Sequence, residues 1–187
     1  MSNNPLSTGD ISVFANHPNK ANIVTLTLSG QIYGNISAFV GYNSLKILAV
    51  NNYTNLERLE LFYVDSKIYG DITNLANLTK LEYFNLTPNY YDQPQFTGIY
   101  GDIAIFANMP NLFYIGFHRA SVSGDIISVK NMTNLRYFLM MQTNTYGDIS
   151  VLSTCPNIGY IHVANQTTGF INSLVNCTKL VDLNVNT

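Results

Sequence analysis

Apolar residues recur along this chain with a long period. The pattern L-x-x-L-x-L, with Ile, Val, Phe or Met replacing Leu in places, begins at Ile23, Leu45, Leu56, Leu81, Leu112, Leu135, Ile158 and Leu180. Self-similarity at a period of about 22 or 23 residues is the mark of a solenoid, in which each repeat buries its apolar side by stacking on its neighbours. The eight motifs predict about eight parallel strands in a single domain over residues 1–187.

A second signature, Gly-Asp-Ile or a relative, starts at Gly9, Gly34, Gly70, Gly101, Gly124, Gly147 and Gly169. From Gly34 onward each glycine precedes the first apolar residue of a strand motif by eleven positions. Between the two signatures, apolar residues return at the second, fifth and eighth places after the glycine. The fifth-place set is Phe14, Phe39, Leu75, Phe106, Val129, Leu152 and Leu174. Asn16, Asn77, Asn108, Asn131 and Asn176 share the seventh place, with Asn52 as the equivalent in a short third repeat. They are expected to form an interior column that bonds the backbone of adjacent turns.

The L-x-x-L-x-L strand motif with an asparagine column resembles the leucine-rich repeat over essentially the whole chain. The Gly-Asp-Ile step is similar to the G-x-I-P step of plant-type repeats without its proline, and the repeat length also suits bacterial, internalin-like repeats. The resemblance implies an α/β solenoid, mainly parallel β: a right-handed superhelix with one parallel sheet on the concave face and short helical or irregular convex turns. It also implies a binding protein with no cofactor.

Two repeats break the metre. The Leu45 and Leu56 motifs lie eleven residues apart, so this stretch reads as having lost its Gly-Asp-Ile segment, whereas Leu86 to Gly101 is longer than usual and carries Tyr90 and Tyr91 among prolines. Inserted loops often decorate the binding face of a repeat protein.

Alternate side chains of a strand point to opposite faces, so the x positions of L-x-x-L-x-L face outward. Their first column reads Thr25, Ile47, Arg58, Tyr83, Tyr114, Tyr137, Tyr160, Asp182. Four tyrosines on successive strands about 4.8 Å apart make a ladder of roughly 14 Å. Beside it run Asn85, Gly116, Leu139 and His162, then Thr87, His118, Met141 and Ala164. Tyrosine offers stiff contact area with a polar tip and is enriched at binding hot spots. The same residues are also good strand formers that support a sheet. The expected partner-binding set is Arg58, Tyr83, Asn85, Tyr90, Tyr91, Tyr114, His118, Tyr137, Leu139, Met141, Tyr160, His162 and Asp182. The partner expected is a protein. The alternatives are a structural, assembly or adhesin-like component of a phage or cell surface that self-associates through its C-terminal edge, and glycan binding.

Composition narrows the field. Nine Lys and Arg stand against eleven Asp and Glu without a basic run, and charged residues are 11 % of the chain, which disfavours nucleic acid and anionic glycans. No apolar run approaches the ~20 residues that span a bilayer, and Met1 to Pro5 lacks the basic and apolar regions of a signal peptide. The chain as written thus reads as cytoplasmic or virion-associated, and equally as a trimmed secreted fragment.

The recurring Asp10, Asp71, Asp102, Asp125 and Asp148, with Asn35 in their series, are expected to cap turns and not to bind calcium, which needs several oxygens per ion. His118 and His162 fall two strands apart, about 10 Å, too far for one zinc ion. No nucleophile with a reachable base and no phosphate-binding glycine loop is present, so the chain reads as non-catalytic. Cys155 and Cys177 share a column and are expected to be reduced, core-filling thiols. Seven N-x-[ST] sequons are read as by-products of the repeat, four of them within the asparagine column. The last strand motif closes at Val185, with no C-terminal cap visible.

Overall fold

The computed structural model describes residues 8–28, 31–50, 67–86 and 97–185. The chain winds as the expected solenoid. Seven strands, β2 (Thr25–Leu28), β4 (Ile47–Val50), β6 (Tyr83–Asn85), β8 (Tyr114–His118), β10 (Tyr137–Met141), β12 (Tyr160–His162) and β14 (Asp182–Asn184), form one parallel sheet from the L-x-x-L-x-L motifs. A second parallel sheet, beyond what the strand motif predicts, joins β1 (Thr8–Asp10), β3 (Gln31–Asn35), β5 (Lys67–Asp71), β7 (Thr97–Asp102), β9 (Ala120–Asp125), β11 (Asn144–Asp148) and β13 (Gln166–Thr168). The chain passes from one sheet to the other through a tight corner; in two repeats it is a single left-handed residue or one close to it, Arg119 (φ 52°) after β8 and Gln142 (φ 52°) after β10.

Each second-sheet strand from β1 to β11 ends on its Gly-Asp or Gly-Asn step, where the carboxylate or amide oxygen accepts the amide two residues on and opens a 3-10 turn. The bonds run from Ser12 to Asp10 (2.8 Å), Ser37 to Asn35 (2.9 Å), Thr73 to Asp71 (2.8 Å), Ala104 to Asp102 (2.8 Å), Ile127 to Asp125 (2.9 Å) and Ser150 to Asp148 (2.8 Å). The aspartate column is therefore a run of helix caps, as its position in the repeat predicts. The glycine is required for a second reason. At Gly124, with φ of +119°, a Cβ would run into the Asp102 carboxylate of the preceding repeat.

Three residues per turn then set the interior. Successive i to i+3 bonds such as Met109 to Phe106 and Leu112 to Met109 carry the helical hydrogen-bond pattern on to the next strand. The second, fifth, eighth and eleventh places after the glycine consequently point inward: Ile103, Phe106, Met109 and Leu112 are all fully buried. The seventh place does not. Asn16, Asn77, Asn108, Asn131 and Asn176 are exposed on the turns, which corrects the expected interior asparagine column. The sequon residues Asn77, Asn131 and Asn176 are thereby surface groups, as is Asn165, whereas Asn85 is buried. Asn52 lies outside the described residues.

The irregular repeats also resolve differently. Ile47 pairs with Tyr83, so the Leu45 and Leu81 motifs are adjacent in the sheet and the strand expected at Leu56 has no place between them. The irregular lengths fall in residues 51–66 and 87–96, outside the described residues. Leu56, Arg58, Tyr90 and Tyr91 lie outside the described residues. Cys155 is buried with its thiol bonded to the Val129 carbonyl (3.3 Å), Cys177 is half-buried, and the two are not joined. Burial pushes both thiols up.

Candidate binding face

The third-place tyrosines stand in direct register: Tyr83 pairs with Tyr114, Tyr114 with Tyr137, and Tyr137 with Tyr160. Without stagger, side chains one strand apart must pack on each other. Tyr83 and Tyr114 stack at 4.4 Å and 22°, Tyr114 and Tyr137 meet at 5.2 Å and 33°, and Tyr137 and Tyr160 stack at 4.5 Å and 14°. The ring faces are largely spent on one another, which leaves mainly ring edges for a partner.

The ladder is anchored at one end. Tyr83 is 5 % exposed and packs on Phe113 (5.7 Å), and fully buried Asn85 donates through Nδ2 to the Tyr83 hydroxyl (3.2 Å) and the Tyr114 hydroxyl (3.4 Å). Gly116 makes this possible, because a Cβ there would strike the Tyr114 ring at 2.7 Å. Tyr114 thus lies over the glycine and reaches Asn85. His118, the strand partner of Met141 on this face, is also buried, and burial followed by the charge of Arg119 pushes its imidazole down to about 4. It is neutral at pH 7.

Toward the other end the face opens. Tyr114, Tyr137, Leu139, Met141, Tyr160 and His162 are half-buried and Asp182 is exposed. His162 bridges this set, with Nε2 2.8 Å from the Asp182 carboxylate and Nδ1 3.3 Å from the Met141 sulfur. Of the residues expected in the site, seven share this open strip, while Tyr83, Asn85 and His118 form its floor and Arg58, Tyr90 and Tyr91 lie outside the described residues. Among the described residues no group of three His, Cys, Asp or Glu could hold a metal ion, and no helix is long and apolar enough to cross a membrane.

Reading the strand motif alone misses a second set of tyrosines. Tyr33, Tyr69, Tyr100 and Tyr146, each directly before the glycine of its repeat, stand on the outer face of the second sheet and are 50, 51, 51 and 48 % exposed. Their signal was the alternation around them, as in Ile68-Tyr69-Gly70-Asp71-Ile72, where both isoleucines are buried.

Strands with inward aliphatic residues, caps at a fixed step and 3-10 returns define the class: the chain is a leucine-rich-repeat solenoid. Among solved structures it is similar to an internalin (inlF) from Listeria monocytogenes, at 27 % identity and a TM-score of 0.51 over 83 % of this chain and 48 % of that one. It is also similar to the leucine-rich-repeat protein LIC12759 of Leptospira interrogans, at 14 % identity and 0.51 over 88 % and 43 %. A third likeness is to the ectodomain of the Arabidopsis receptor kinase HAESA in complex with an N-terminally extended IDA peptide hormone ligand, at 17 % and 0.52 over 92 % and 35 %. The chain spans less than half the length of each of these proteins. No protein-family model and no curated protein matches it.

Proposed function

We propose that the protein is a non-catalytic binding module that holds a protein or peptide partner on its concave face through Tyr114, Tyr137 and Tyr160, with Leu139, Met141, His162 and Asp182 beside them. The observation that carries this reading is the anchored tyrosine stack next to two half-buried apolar side chains on an open sheet. Such a surface is preorganised, so little ordering cost is added on association. The HAESA ectodomain, of the same fold, is described with a peptide hormone ligand. Because the rings cover each other's faces, a partner would meet mainly ring edges, which favours a peptide over a sugar ring that needs an open aromatic face.

The test is capture of partners by the wild type and by Tyr137→Ser/Tyr160→Ser, a pair chosen because neither residue bonds Asn85, with circular dichroism to verify folding. A partner held by the wild type and lost by the variant is expected. A partner retained equally by both would refute the concave site.

One observation favours the assembly reading as a second possibility. Phe170, at 85 % exposure, replaces the capping Asp in the last repeat, and Ile171, Val175 and Val181 are exposed near it. Self-association through this end would persist in the concave variant and be lost in Phe170→Asp, as measured by sedimentation.

A further inference from the structure

The outer face of the second sheet carries an arrangement that the concave reading does not use. Equivalent residues here are not in direct register: Tyr33 pairs with Asp10, Tyr69 is level with Asn35, Tyr100 pairs with Asp71, and Tyr146 pairs with Asp125. Each strand is thus displaced by two residues from the one before. Cross-strand Cα partners share a face of the sheet, so each tyrosine stands beside the capping residue of the preceding repeat, at about 4.8 Å between strands. The displacement also separates the tyrosines from one another. Two residues along at about 3.3 Å each, combined with one strand across, give about 8 Å between equivalent residues. Among the described residues none of these four rings touches another aromatic ring, and each tyrosine is about half exposed.

Charge is segregated onto the same strip. Five of the chain's eleven acidic residues, Asp10, Asp71, Asp102, Asp125 and Asp148, lie on these strands, and Lys67 is the only basic residue within them. Among the described residues none of the five forms an ion pair, although Lys46 with Glu82 and His162 with Asp182 do so elsewhere. An open aromatic face attracts a cation through its quadrupole, and an adjacent carboxylate adds a charge-assisted hydrogen bond. The pairs Asp10–Tyr33, Asp71–Tyr100 and Asp125–Tyr146 each supply both components, and Asp102 and Asp148 add carboxylates next to Ser123 and Thr168.

We propose that this outer face is a docking surface for an extended, arginine- or lysine-rich protein segment that crosses the second sheet diagonally, with cations lying on Tyr33, Tyr100 and Tyr146 and paired with the neighbouring Asp10, Asp71 and Asp125. A guanidinium fits best, since its plane can stack on the ring while its edge bonds the carboxylate. From Tyr33 to Tyr146 is four strand steps, about 32 Å, which an extended segment of about ten residues spans.

The caps allow a clean test. Asn35 fills the same step with the same bond to the backbone, so Asp→Asn removes charge and keeps the turn. The probe is a ten-residue peptide alternating Arg and Ser, blocked at both ends, with its Gln-for-Arg counterpart as control. Affinity is read by fluorescence anisotropy at two ionic strengths, and the contact surface by amide chemical-shift mapping. The wild type is expected to bind the Arg peptide and not the Gln peptide, with shifts confined to β3 through β11 and weakening as salt rises. Asp71→Asn/Asp102→Asn/Asp125→Asn and Tyr100→Ser/Tyr146→Ser should each weaken binding by about tenfold or more, while Tyr137→Ser/Tyr160→Ser leaves it unchanged. No binding by the wild type, equal binding of the Gln peptide, or affinity untouched by the triple Asp→Asn change would overturn the proposal. So would cellohexaose binding at these tyrosines with the Arg peptide inert, which would assign the face to a neutral glycan.

Discussion

Two columns of tyrosine run along this solenoid, and they differ through strand register alone. On the concave sheet, equivalent residues are Cα partners, so Tyr114, Tyr137 and Tyr160 stack into a supported wall with their ring faces covered. On the second sheet a two-residue displacement at every strand puts each tyrosine beside an aspartate or asparagine and leaves it about half exposed. The same residue type at one per repeat becomes a stiff apolar surface in the first case and a row of separate aromatic-acid sites in the second. Side-chain chemistry thus decides what a column can bind only after the register has decided what each side chain touches.

The difference should be largest in stability. Tyr83→Ala removes a buried ring, its stack on Tyr114 and a partner of buried Asn85, and is expected to cost about 4 kcal/mol in urea unfolding. Tyr69→Ala removes a ring half in water and should cost about 1 kcal/mol or less. Equal losses would mean that the two columns are supported alike.

Next in size is an attack on the displacement itself. Gly124→Ala places a Cβ against the Asp102 carboxylate and Ile103 at a φ of +119° that L residues rarely adopt, for an expected loss of about 3 kcal/mol. Gly9, at the edge of the same sheet, has nothing within 4 Å of such a Cβ. Gly9→Ala should therefore change stability by less than about 0.5 kcal/mol, and a cost comparable to that at Gly124 would refute the collision.

How much of this the sequence discloses follows from the periods involved. A period of two within L-x-x-L-x-L correctly marks Tyr83, Tyr114, Tyr137 and Tyr160 as one column, because direct register preserves it. The apolar places two, five, eight and eleven after each glycine carry a period of three, the mark of 3-10 turns, and the asparagine at place seven is off that period. Its exposure was therefore legible, although an interior column is what a leucine-rich-repeat resemblance suggests. The second sheet was harder to see, since Tyr-Gly-Asp reads as a turn until the buried Ile68 and Ile72 around Tyr69 are counted as strand alternation. Burial of Asn85 follows how a neighbouring side chain fills the face, since Tyr114 lies over Gly116 and bonds the Asn85 amide, and no spacing rule conveys that.

The two strips should also answer differently to acid. His118, under the concave face, has a folded pKa of about 4 against an ordinary value of 6.5. Below pH 6.5 the unfolded chain takes up a proton that the native state refuses. Stability attributable to this residue is therefore intact above pH 6.5 and falls as pH drops toward 4, by up to about 3 kcal/mol. Urea midpoints across that range should decline in the wild type and flatten in His118→Gln; parallel profiles would remove His118 as the cause.

The smallest effect separates the two roles of the outer aspartates. Asp125→Ala deletes the acceptor for the Ile127 amide and should cost about 1 kcal/mol, the usual value of a cap. Asp125→Asn retains an acceptor, as Asn35 does for Ser37 at 2.9 Å, and should leave stability nearly unchanged while removing one charge beside Tyr146. Were the asparagine variant as unstable as the alanine one, the carboxylate charge would itself be needed for the turn. The near-regular choice of Asp over Asn would then need no binding partner to account for it. A stable asparagine variant leaves the charge without a structural task, and the half-exposed tyrosine next to it is where that charge can act.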